Sequence, residues 1–185
     1  MTHYVPIGSN CDVATRLRNM GLREAAMPFD WCVIPITGVI THIKEDFANF
    51  MVTENLCFLP PAPRKLMINE LTGETKKDII TPVIDTHSRT LYPHDFSQSG
   101  IFDLDDVQEK YAKRIERFRE WMNSGEQIVF VVTIATLQPF QKEQYDMAHV
   151  NSVNNTNDWL VEFKKAVRTT YPNAKFKVKR LSEIG

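Results

Sequence analysis

Ile128-Val129-Phe130-Val131-Val132-Thr133-Ile134 is a nearly unbroken β-branched run. Such a run reads as a strand buried on both faces, the habit of strands inside parallel sheets. Upstream, Asp105 with Gln108 three residues on forms a capping-box-like helix start. The predicted helix carries Val107, Tyr111, Ile115, Phe118 and Met122 on one face. Downstream, after a long polar loop, Asn157 opens a helix with Trp159, Leu160, Phe163 and Val167. Lys175 to Leu181 then alternates as a closing strand through Phe176 and Val178. Strand, helix and strand at this spacing make a βαβ unit. The fold expected is α/β: a layered domain with a mixed, partly parallel sheet flanked by helices, residues 1–185 forming a single domain. The 128–134 strand belongs at the centre, parallel to at least one of Tyr4–Ile7 and Lys175–Leu181.

The first half has the same grammar. Tyr4 to Ile7 reads as a buried strand, followed by a helix from about Cys11 to Met20 with Val13, Leu17 and Met20 inward. Gly21 is placed as its C-cap. Pro28-Phe29-Asp30-Trp31 reads as a turn beyond that helix. Thr37 is positioned to cap a second helix with Val39, Ile40, Ile43, Phe47 and Phe50 inside. Leu59 to Pro63 reads as a proline-rich connector. Leu66–Leu71 and Asp78–Ile84 read as strands of a hairpin turning at Thr72-Gly73-Glu74. His87 to Gly100 reads as irregular and polar, with aromatics interleaved.

Composition narrows the function. With 43% apolar and 24% charged residues, the chain has the balance of a globular protein. A net charge of −1 supplies no electrostatic drive toward nucleic acid or a membrane surface, so neither is expected as a partner. No apolar run of roughly 18 residues is present, and the N-terminus has no secretory pattern. Three cysteines without framework spacing (Cys11, Cys32 and Cys57) argue for reduced thiols and a cytoplasmic setting.

The chemistry is expected where the first strand gives way to its helix, at Gly8-Ser9-Asn10-Cys11-Asp12. Helix-start amides and the positive end of the helix dipole favour an anion there, and a thiol so placed ionises more readily. A small buried residue under the first turn is the plain alternative for Cys11. His94, in Tyr92-Pro93-His94-Asp95-Phe96, is the best base for such a thiol. A carboxylate is needed on its other ring nitrogen, and Asp30 and Asp95 are the candidates. Asp30 is preferred, because adjacent side chains on an extended segment point apart. Ser9 following a strand also suggests an esterase nucleophile, but no late Asp-x-x-His pair accompanies it. His87, His94 and Asp103 match no zinc spacing, and no Gly-rich phosphate loop exists, so no metal or cofactor is expected. Lys110 to Arg119 reads as the solvated face of its helix.

Four motifs then occur in order: Gly8-Ser9-Asn10-Cys11-Asp12, Pro28-Phe29-Asp30-Trp31, His94-Asp95-Phe96, and Lys110 through Phe118 leading to the 128–132 strand. This order resembles an uncharacterised domain family described as "putative papain-like cysteine peptidases", most densely from Val5 to Trp31. The resemblance implies Cys11 as nucleophile and His94 as base, with Pro28 to Trp31 lining or supporting the site. It also brings an α+β papain-like architecture as the alternative fold. Papain-like enzymes usually place a glutamine shortly before the cysteine. Here Tyr4-Val5-Pro6 stands in that neighbourhood, leaving the oxyanion role to Asn10 or a helix-start N–H. Ser9, Asn10, Trp31 and Asp95 are the expected substrate contacts. The function expected is a cysteine hydrolase or acyl transferase acting on a peptide, acyl or glycan-like substrate. A transferase for glycans or polar small molecules, or a non-catalytic interaction domain, is the alternative.

Overall fold

The computed structural model describes residues 1–7, 11–63, 79–133 and 158–184. Gly8, Ser9, Asn10, the Leu66–Leu71 strand with its Thr72 turn, Ile134 and Asn157 lie outside the described residues. At the centre, β1 (Thr2–Ile7), β7 (Gln127–Val132) and β8 (Lys175–Arg180) form a parallel three-stranded sheet in the order β1-β7-β8. Ile7 stands beside Val132, which stands beside Arg180, so the three carboxyl ends share one rim. The strand in the middle is the β-branched one. Its residues 128–132 are all buried, whereas β8 at the sheet edge alternates in exposure. Lysines at 175, 177 and 179 give that edge a charge that discourages pairing with another chain.

Helices cover both faces. On one side α1 (Asp12–Asn19) sets Val13 and Leu17 against Val129 and Val131. On the other, Val5, Ile7, Ile128, Phe130 and Val132 meet α2 (Ile36–Lys44), α3 (Leu104–Asn123) and α4 (Asp158–Thr170). Phe130 makes edge-on contact with Phe163 of α4 at 5.0 Å and a tilted one with Phe118 of α3 at 6.2 Å. This is the α/β layering read from the sequence. Parallel and antiparallel pairing are divided between sheets: β2 (Leu56–Phe58), β5 (Val83–Asp85) and β6 (Thr90–Tyr92) form an antiparallel sheet, and β3 (Ala62–Pro63) pairs with β4 (Ile79–Ile80).

Several local expectations are corrected. Met20 is exposed, because α1 ends at Asn19 and Gly21 turns the chain at φ +69°. The N-cap of α2 is Pro35, which has no amide hydrogen to satisfy, while Thr37 lies inside the helix and faces solvent. α3 begins at Leu104 without a side-chain cap, and Gln108 instead donates to the Met51 carbonyl at 2.8 Å. Part of the proline-rich connector is strand β3, and β6 occupies part of the stretch read as irregular. The β5–β6 turn is tied by Asp85, whose Oδ1 accepts from the His87 amide at 2.8 Å and the Ser88 amide at 3.3 Å.

Candidate functional site

Cys11 stands at the N-cap of α1, just past the carboxyl end of β1. Its carbonyl accepts the Thr15 amide at 3.0 Å, so it opens the helical ladder, and its side chain is half-buried. The first-turn amides and the dipole of α1 direct positive potential toward this rim. Asp12 opposes it, and Asp12 is paired with Arg16 at 3.1 Å. The other two cysteines differ. Cys32 is buried, and burial pushes its thiol pKa well up, with the Asp95 and Asp30 carboxylates adding to the rise. Cys57 is exposed on β2.

His94 sits on an exposed turn after β6, held from both sides by buried residues. Tyr92 and Phe96 are in the core, and the Phe96 carbonyl accepts the Thr81 amide at 3.1 Å. Asp95 anchors the same turn to α3. Its Oδ1 accepts from Lys110 Nζ at 2.6 Å and its Oδ2 from the Tyr111 hydroxyl at 2.9 Å. Both carboxylate oxygens are thereby engaged, so Asp95 ties the His94 turn to α3.

Asp30 is fully buried. Its Oδ2 accepts from Arg23 through Nε at 2.8 Å and Nη2 at 2.5 Å, and from the Met27 amide at 3.0 Å. Its Oδ1 has no hydrogen-bond partner among the described residues. Burial raises its pKa, and the Arg23 guanidinium works against that rise. The donors on this carboxylate are thus a guanidinium and an amide where an imidazole was expected. Asp30 fixes the 27–30 turn and orients Arg23. Arg23 and Arg18 both lie over the half-buried Trp31 ring, at 5.3 and 5.8 Å from its centroid. The Pro28 to Trp31 motif is thereby tied to α1 and to the chain just beyond it.

Sequence reasoning missed Arg23, Lys110 and Tyr111. Lys110 reads as one more charge on a solvated helix face, and nothing local pairs it with Asp95. Of the residues weighed as metal ligands, His87 pairs with Glu45 at 2.9 Å and Asp103 accepts the Ser97 amide at 2.7 Å. Among the described residues, no helix is long and apolar enough to cross a membrane.

The chain belongs to the family described as "Putative papain-like cysteine peptidase", which matches residues 2–171 and so includes Cys11, Asp30 and His94. It is also similar to an uncharacterized protein of Acanthamoeba polyphaga mimivirus, with 26% identity over 135 residues. That match covers 70% of this chain and 60% of the viral protein, so the chain spans little more than half of that relative's length. No solved structure matches the chain significantly.

Proposed function

We propose that this member of the family is a cysteine hydrolase or acyl transferase with Cys11 as nucleophile and His94 as base. The observation that carries the proposal is the place of Cys11: half-buried, at the mouth of a helix, on the rim where the parallel strands end. Ligands of open α/β sheets bind at that rim. In the reaction, His94 takes the thiol proton and the thiolate sulfur attacks the acyl carbon. A first-turn amide of α1 receives the charge that develops on oxygen. Collapse breaks the bond to the leaving group, which departs with the proton from His94, and a thioester remains on Cys11. Water or another acceptor then adds, losing its proton to His94, and the thiol is restored. Asp30 and Asp95 serve as positioning residues, fixing the two turns that flank the site.

Alkylation by iodoacetamide tests this reading. Cys11 is expected to label faster than Cys32 and Cys57 near neutral pH, with a rate that persists below the ordinary thiol pKa. His94→Ala should remove that low-pH limb, and Cys11→Ser should remove the label. Equal or slower labelling of Cys11 would exclude the activated thiol and leave a binding role for the same motifs.

A further inference from the structure

β1 and β7 are neighbours in the sheet, and helices cover its two faces. α1 packs on Val129 and Val131, and α4 packs on Phe130. In open α/β sheets ligands bind beyond the carboxyl ends of the strands. Here a cavity of about 340 Å³ lies beyond the ends of β7 and β8, lined by Arg16, Val132, Thr133, Arg180, Leu181 and Ser182. Cys11 is not among the residues that line it, but it caps the helix that carries Arg16. Three residues separate it in sequence from Ile7, the sheet partner of Val132. We propose that this cavity seats a carboxylate or phosphate group of the substrate, with Arg16 and Arg180 as the cations that hold it. That the seated group belongs to a substrate of Cys11 rests on the nucleophile assignment, whereas the anion seat itself does not.

Two arginines from opposite ends of the chain border one cavity because β1 and β8 flank β7. Guanidinium forks match the oxygen pairs of carboxylate and phosphate, and Ser182 adds a hydroxyl. The dipole of α1 has the same sign as the arginines. Two carboxylates oppose them. Asp12 holds Arg16 by its Nε edge, and Glu183 accepts the Arg180 amide at 3.0 Å. A second cavity of about 350 Å³, between α3 and residues 50–54, has no cation in its lining and lies away from the strand ends.

The charge of the alkylating reagent reads this directly. Iodoacetate and iodoacetamide differ by one carboxylate, and Cys57 is an exposed reference within the same molecule. At low salt the iodoacetate-to-iodoacetamide rate ratio should be higher at Cys11 than at Cys57 by about two- to fivefold. Arg16→Gln and Arg180→Gln should each lower it toward the Cys57 value. Protection of Cys11 by inorganic phosphate but not acetate would assign the seat to a phosphate, and the reverse to a carboxylate. A ratio equal at the two cysteines and indifferent to both substitutions overturns the proposal. If Cys11 reacts with neither reagent, the nucleophile reading fails, and the seat is judged by thermal stabilisation in phosphate. That stabilisation must be smaller in the Arg16→Gln/Arg180→Gln double variant, and equal stabilisation overturns the seat.

Discussion

Acidification should destabilise this protein through His42. The ring is fully buried against Phe29, Phe47 and Phe50, with centroids at 6.4, 6.3 and 4.6 Å. Neither ring nitrogen has a hydrogen-bond partner among the described residues. Burial lowers its pKa from 6.5 to about 4; His87, 6.3 Å away, adds to the fall and Glu45 opposes it. The folded value lies below the unfolded one, so in that interval the unfolded chain binds the extra proton. Stability is therefore full above about pH 6.5 and drains away as pH drops toward 4. The gap amounts to about 3 kcal/mol across the whole window, and about 2 kcal/mol of it falls between about pH 7 and pH 5. His42→Leu removes the titration and two unsatisfied nitrogens at similar volume. Urea unfolding at about pH 7, 6 and 5 should find the variant at least as stable as the parent at the top. It should lead by about 2 kcal/mol more at the bottom. Asp30 and Asp85, whose pKa values burial raises, are left in place by the substitution and contribute alike to both proteins. Parallel pH curves for parent and variant would refute the reasoning.

Two glycines separate contact from backbone strain. A Cβ on Gly38 would come within 2.5 Å of the Ser88 carbonyl, so Gly38→Ala should cost about 2 kcal/mol or more in denaturant titration despite its helical site. Gly21→Ala meets no atom but sits at φ +69°, and should cost about 1 kcal/mol. Asp30→Asn leaves the largely buried Arg23 guanidinium facing a neutral amide. It should lose about 3 kcal/mol and change the fluorescence of Trp31. Phe130→Ala, at the contact of three aromatic rings, should cost about 3–5 kcal/mol, visible as a lowered Tm.

The parallel core is legible because its signals are local and long enough to repeat. Five successive residues of β7 declare burial on both faces, and β8 declares an edge by alternating. The antiparallel sheet is not legible for the opposite reason. β2, β5 and β6 have three residues each, too few for a period to show. The turn joining β5 to β6 has no glycine; Asp85 fastens it and Arg89 takes φ +57°. Gln108 shows a different failure. Its spacing from Asp105 satisfies a local rule, but the fold brings the Met51 carbonyl within reach, and that bond is the one made.

The carboxylates near the candidate site sharpen the same point. From sequence, Asp30 and Asp95 differ only in distance from His94, and each offers the acidic group that an imidazole needs. In the fold both face cations. Asp30 receives Arg23, seven residues earlier, and Asp95 receives Lys110 and Tyr111 from the long helix behind it. The two anchors are unequal. Arg23 and Asp30 are 13% and 0% exposed, so breaking that pair strands a charge in the interior, whereas Lys110 is 36% exposed and water can replace part of its contact. The Pro28 to Trp31 turn is therefore the more rigidly anchored of the two and the His94 turn the more yielding one. A carboxylate beside a reactive-looking histidine is as ready to fasten a backbone turn as to orient a ring. The two roles become distinguishable only when the cation it faces is known, and for Asp95 that cation comes from a helix whose charges otherwise read as solvent-facing.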